Sequence, residues 1–120
     1  MNTFSWCGKN YRVFQVASFD ETINIFFRPQ TYAHPSAKYS LAVEAMCIDD
    51  DGLVEPWGIV TVNLGNPLQG SEMAFADTNN NPWLLDLVSK EGLADIMPYK
   101  QQSGFCTYPL LQWYVEKFTV

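Results

Sequence analysis

Residues 74–93, AFADTNNNPWLLDLVSKEGL, constrain the fold more than any other stretch of this chain. They read as a strand end, a polar turn and the one convincing helix. Asn81 is placed as the N-cap, its side-chain oxygen accepting a free N–H of the first turn. Pro82 follows as the first helical residue, where a missing N–H costs nothing and φ is already helical. Trp83, Leu84, Leu87 and Val88 share one side at a 3.6-residue repeat, while Asp86, Ser89 and Lys90 take the other. Gly92 can supply the left-handed residue that ends the helix, and Leu93 can fold back over its last turn. A helix this short does not persist alone in water, so its apolar stripe requires a sheet to lie on.

The flanking sequence supplies that sheet. Residues 2–8 read as a first strand with Phe4 and Trp6 on one face, and Gly8-Lys9-Asn10 as a hairpin turn. Residues 11–19 alternate, Asp20-Glu21 turns the chain, and residues 22–28 follow as a strand. Pro29 and Pro35 are expected to bracket an irregular link carrying Tyr32 and His34, because proline cannot donate within a central ladder. Residues 39–48 form the clearest strand. Leu41, Val43, Ala45 and Cys47 point one way, and Ala42, Glu44, Met46 and Ile48 the other. Asp49-Asp50-Asp51-Gly52 is turn chemistry, and residues 57–64 return to complete a long hairpin. Gly65-Asn66-Pro67 breaks the chain before a short strand at 73–76. After the helix, residues 94–102 read as a connection containing Pro98, and residues 103–108 and 110–119 as two last strands split by Pro109. The expected fold is α+β: a single domain, 1–120, of mainly antiparallel sheet packed against one short α-helix.

Composition narrows the function classes. Hydrophobic residues make up 48% and aromatics 15%, enough to build a core without staples. The formal net charge of −6 argues against direct nucleic-acid binding and against an anionic membrane surface. No apolar leader with a basic flank and no 18-residue apolar run occurs, so a cytoplasmic protein without a membrane span is expected. Cys7, Cys47 and Cys106 are widely spaced and odd in number, which suits reduced thiols.

Charge is also unevenly distributed. All seven Lys and Arg lie outside residues 39–89, whereas that span holds Glu44, Asp49, Asp50, Asp51, Glu55, Glu72, Asp77 and Asp86. One reading is solubility and polar turn tips. The sharper one is a negative surface that meets a basic groove on another protein.

The residues offer little support for catalytic or metal chemistry. Asp77-x-Asn79-x-Asn81 opens like a calcium loop, but Pro82 and Val88 occupy the places that need glycine and a bidentate glutamate. Cys106 would need a base, and nothing places the single histidine, His34, beside it. Zinc sites show close ligand pairs, and none exists. No glycine-rich phosphate loop is present. No metal, cofactor or catalytic residue is expected, and the chain reads as a non-enzyme.

Four pieces carry a resemblance: Thr61-Val62-Asn63-Leu64; Ala74-Phe75 with Asp77-Thr78-Asn79-Asn80-Asn81-Pro82; Gly92-Leu93; and Ser103-Gly104-Phe105-Cys106-Thr107-Tyr108-Pro109. Across residues 41–108 the chain resembles a family of short uncharacterised bacterial proteins associated with conjugative and phage-like elements. That resemblance assigns no activity. It implies an accessory protein of a mobile element, a setting in which small acidic proteins often block host machinery, defence nucleases included.

The leading expectation is therefore a protein that inhibits or modulates a host or rival protein, such as a nucleic-acid-binding defence complex, in an anti-CRISPR-like manner. Asp49, Asp50, Asp51, Glu55 and Trp57 would meet its basic surface. The alternative is a small-ligand domain or enzyme with a pocket between helix and sheet, lined by Asp77, Asn79, Asn80, Ser103 and Tyr108. A third is a homo-oligomer pairing through residues 110–120, since an open apolar strand is a hazard.

Overall fold

The computed structural model describes residues 2–32, 41–64 and 72–120. His34, Pro35 and the Gly65-Asn66-Pro67 break lie outside the described residues. Among the described residues, ten strands, one α-helix and one 3-10 helix follow one another. Mainly antiparallel sheet with one short helix makes the fold α+β, as expected.

The first hairpin pairs β1 (Thr3–Trp6) with β2 (Lys9–Arg12). Its turn is Cys7-Gly8, one residue earlier than the sequence suggests, with φ of 50° and 78°. A two-residue hairpin matches the strand twist only when both central residues have positive φ, and glycine meets that need at the second position. The alternation through residues 11–19 is not one strand. It breaks at Val13, so Tyr11 is buried on one side of the break and Phe14 and Val16 on the other.

A four-stranded sheet follows, in the order β3 (Phe14–Ser18), β4 (Glu21–Thr31), β5 (Leu41–Ile48), β6 (Val54–Ile59). Both faces of β5 are covered. Leu41, Val43 and Ala45 join the main core, while Met46 and Ile48 join a second cluster with Tyr11 and Phe26. Phe4 and Trp6 of the first hairpin close that cluster, their rings 6.1 and 5.6 Å from Phe26. Arg28 fastens the arrangement, its guanidinium 5.3 Å from the Trp6 ring centre and its Nε donating to Glu44 at 2.6 Å.

Pro29 sits within β4, opposite Val43, and does not end it. Beyond Ile25, β3 no longer pairs with β4, so β4 there has an open side and tolerates a proline.

Residues 54–62 pass from one sheet to the next. Trp57 is the extra residue of a bulge opposite Ala45 and Met46. The Val60 N–H donates to Val43 O at 2.9 Å, and Val60 O accepts from Asp77 N–H at 2.8 Å, so this one residue ties the two sheets together. β7 (Thr61–Val62) then opens a second four-stranded sheet, in the order β7, β8 (Met73–Ala76), β10 (Cys106–Trp113), β9 (Ala94–Ser103).

Residues 94–103 are thus a strand, not a connection. β9 lies on the outside of its sheet, and Pro98 falls in an irregular stretch between the Ile96–Leu111 and Lys100–Pro109 pairs. Pro109, opposite Lys100, sits inside β10 at the border of that irregularity, just before the pairing with β8 begins at Leu110. After Trp113 the chain turns into the 3-10 helix Val115–Phe118 instead of extending as a strand. β10 is flanked by β8 and β9, so the expected open edge at residues 110–120 does not exist there.

The helix α1 spans Leu84–Glu91, two residues later than the sequence suggests. Asn81 does not cap it through its side-chain oxygen. Its Nδ2 donates instead to Asp77 O at 3.0 Å, its carbonyl accepts from Leu84 N–H, and Pro82 and Trp83 form a turn. The stripe and the stop are as expected. Leu84 and Val88 are buried, Gly92 has φ of 68°, and Leu93 N–H reaches back to Val88 O at 2.9 Å. Helix and both sheets share one core that includes Phe27, Leu84, Val88, Trp113 and Phe118.

Leu84→Ala should lower the urea midpoint by an amount equivalent to roughly 2–5 kcal/mol with little change in slope. Cys7→Asn should raise it by roughly 0.5 kcal/mol or more, because asparagine tolerates the positive φ that cysteine is forced to adopt.

Candidate functional site

Because β3 to β6 alternate in direction, the β3–β4 and β5–β6 turns lie at the same end of their sheet. Glu21 opens β4 there, and the Asn24–Ile48 pair brings the start of β4 alongside Asp49 and Asp50. Glu21, Asn24, Cys47, Asp49 and Asp50 help line an open concavity of about 470 Å³. The buried Asn24 Oδ1 has no hydrogen-bond partner.

The β5–β6 turn is held by Asp49. Its Oδ1 accepts from the N–H groups of Asp51 and Leu53 at 2.9 and 2.8 Å, and Gly52 takes φ of 80°. This self-bonding tip leaves Asp50 and Asp51 in solvent with Leu53 exposed beside them. Glu55 follows on β6, also exposed. Among the described residues, the ion pairs are Arg12 with Glu91 and Arg28 with Glu44, so none neutralises these acids.

Trp57 stands apart from them. Its ring stacks on Trp83 at 5.5 Å and 17°, and Trp83 stacks in turn on Phe27 at 6.4 Å. The bulge turns this indole toward the start of the helix. Glu21 and Leu53, by contrast, join the acidic end without having been singled out in the sequence. Leu53 adjoins the Asp run and was legible as a turn neighbour. Glu21 reaches it only through the β4–β5 register.

The alternative site is partly assembled. Asp77 Oδ1 accepts from Asn80 N–H at 3.3 Å and Oδ2 from Asn80 Nδ2 at 2.9 Å. Both carboxylate oxygens are therefore taken up within the turn. Tyr108 lies near enough for the Asp77 charge to help raise its phenol pKa, although the Cys106 thiol beside it is the larger cause. Tyr32, expected in the irregular link between Pro29 and Pro35, joins from β4's end, its hydroxyl 2.9 Å from Thr61 Oγ1. Asn79 is exposed in the turn, and Ser103 stands at the β9–β10 tip, paired with Cys106. Neither of the concavities formed by described residues at the sheet end or beside the helix is lined by these five residues. Among the described residues, no group of three or more His, Cys, Asp or Glu stands where it could hold a metal.

Burial is the main reason that the Tyr32 pKa lies above 10.0; the Thr61 hydrogen bond opposes the shift and Asp77 adds to it. A raised folded-state pKa means that the neutral phenol is favoured by folding. Its contribution is complete below the unfolded value and is lost as pH rises through the folded one. Stability should thus fall on the alkaline side of 10.0. Denaturant titrations should find that fall shallower in Tyr32→Phe, whose ultraviolet phenolate titration should also lack a late component. The Asp49 turn predicts a further contrast. Asp49→Ala should cost about 1 kcal/mol, whereas Asp49→Asn, which keeps the accepting oxygen, should cost much less.

Comparison with known proteins gives one family and no function. No curated protein and no solved structure matches the chain. The family model for the domain of unknown function DUF4313 matches residues 30–119, from the end of β4 through the 3-10 helix, leaving β1, β2 and β3 outside. With most of its length inside that match, the chain belongs to the DUF4313 family.

Proposed function

We propose that the chain is a cytoplasmic, non-enzymatic binding protein of a mobile genetic element. It inhibits or modulates another protein through the acidic end of the β3–β6 sheet. The observation that carries this reading is the gathering of Glu21, Asp49, Asp50, Asp51 and Glu55 around exposed Leu53, with no cation among the described residues paired to them. Like charges held together repel one another, and a surface rich in Lys or Arg relieves that repulsion. Their summed field also speeds encounter with such a surface over distances where salt screening is incomplete. Leu53 then offers a short-range apolar contact in the middle of the charged rim.

The net charge of −6 points away from nucleic acid itself. A protein whose own groove is basic because it binds nucleic acid fits better. A defence complex is such a protein, so the action is anti-CRISPR-like. The small-ligand alternative has less support, because Asp77 already spends both carboxylate oxygens on Asn80.

Asp50→Asn with Asp51→Asn tests the reading without disturbing the turn that Asp49 holds. Capture of a basic host protein on the immobilised chain should weaken roughly tenfold at low salt, with a flatter salt dependence. Affinity unchanged at both low and high salt would exclude the acidic end as the contact.

A further inference from the structure

We infer that two copies of this chain pair through strand β3, each inserting Phe19 into a groove of the other. The strand edges differ in how well they are defended against pairing. Among the outer strands of the two four-stranded sheets, β6 carries Pro56 and a bulge, β9 carries Pro98 and an irregular stretch, and β7 has only 2 residues. Those are standard defences against strand addition. β3, FQVAS, has no proline, bulge or charge. Ser18 and Glu21 flank a two-residue turn and so form a hydrogen-bonded pair, as do Val16 with Ile23 and Phe14 with Ile25. The N–H and C=O groups of Gln15 and Ala17 therefore point outward, and both residues are exposed.

The turn at the end of β3 supplies the second observation. Phe19 is 103% exposed and adopts φ of 54°, which an aromatic residue rarely does. An open concavity of about 570 Å³ lies at the other end of β3, lined by Arg12, Val13, Phe14, Gln15, Leu87 and Lys90, among others. It runs between the open strand edge and the last turn of α1. Lys90 forms no ion pair among the described residues.

A two-fold axis through Val16 joins these features. It places Gln15 opposite Ala17 of the second copy, so the outward backbone groups of both strands bond each other. The same antiparallel register brings the Phe19 turn of each copy beside Val13 of the other, at the mouth of the groove. Asp20 is then carried toward Lys90, beside the Arg12–Glu91 ion pair. One operation thus pairs an undefended edge, a solvated phenyl ring and a lysine with no ion pair among the described residues, and it does so twice by symmetry. The occupant is a second copy because strand, ring, groove and charges all come from this chain in mutually compatible positions. The Asp49–Leu53 turn takes no part, so the pairing stands or falls separately from the proposed binding surface.

Light scattering or sedimentation equilibrium over a concentration series tests it. The mass should rise from 13.7 kDa toward twice that value. Phe19→Asn suits the positive φ and should keep the fold, yet weaken association roughly tenfold or more through loss of an aromatic anchor. Asp20→Lys should weaken it too, and adding Lys90→Glu should restore it. Ala17→Pro, checked for folding by circular dichroism, should abolish it by removing one outward N–H. A wild-type chain that stays at 13.7 kDa throughout would overturn the inference. So would a dimer that neither Phe19→Asn nor Asp20→Lys weakens.

Discussion

Val43 and Ala45 on one face of β5, and Met46 and Ile48 on the other, are all buried, so this strand needs cover on both sides. Most of the architecture answers that requirement. The second sheet and the helix cover the first face, where Leu84, Val88 and Trp113 close the main core. The β1–β2 hairpin covers the other, with Phe4, Trp6 and Tyr11 around Phe26. An antiparallel sheet usually leaves one face to water. Here the chain before residue 14 has been folded back to prevent it. The family match begins at residue 30, so that hairpin is the part of the fold lying outside the DUF4313 region.

With both faces of β5 covered, an end and an edge of the β3–β6 sheet remain exposed among the described residues. The two are chemically different. The end carrying the Asp49 turn concentrates negative charge and offers little apolar area, which suits fast, salt-sensitive encounter. The β3 edge is uncharged, ordered and bordered by a groove, which suits backbone pairing. The two arginines that bridge elements are engaged elsewhere: Arg12 holds Glu91 and the Lys117 carbonyl, and Arg28 holds Glu44. They fasten hairpin, helix and sheet to one another, and among the described residues no ion pair compensates the acidic end.

The prolines show where local reasoning stopped being sufficient. Pro29, Pro98 and Pro109 each read as a chain break, yet all three sit inside strands. The rule behind the expectation holds, since proline cannot donate to a ladder. What it leaves unspecified is whether a ladder exists on that side. Pro29 has β5 on one side and no β3 partner on the other, Pro98 occupies an irregular stretch between β9 and β10, and Pro109 stands at its border, before the pairing with β8 begins. Asn81 is a related case. Its side chain prefers a carbonyl four residues back over the amides ahead, because Asp77 is fixed by its own bond to Val60.

By itself the sequence determined the elements whose causes are local: the α+β class, the helix stripe and its glycine stop, the two-faced alternation of β5 and the Asp49–Gly52 turn. Each depends on residues within one or two turns of chain, so spacing and propensity suffice. Only the tertiary structure decided which surfaces those elements leave free. The β4–β5 register set Glu21 beside Asp49, the Trp57 bulge sent an expected contact residue into a stack on Trp83, and β10's position between two neighbours removed an edge that the sequence had suggested. Strand neighbours and registers come from distant pairings that minimise exposed apolar area across the whole chain, and no short window contains that sum.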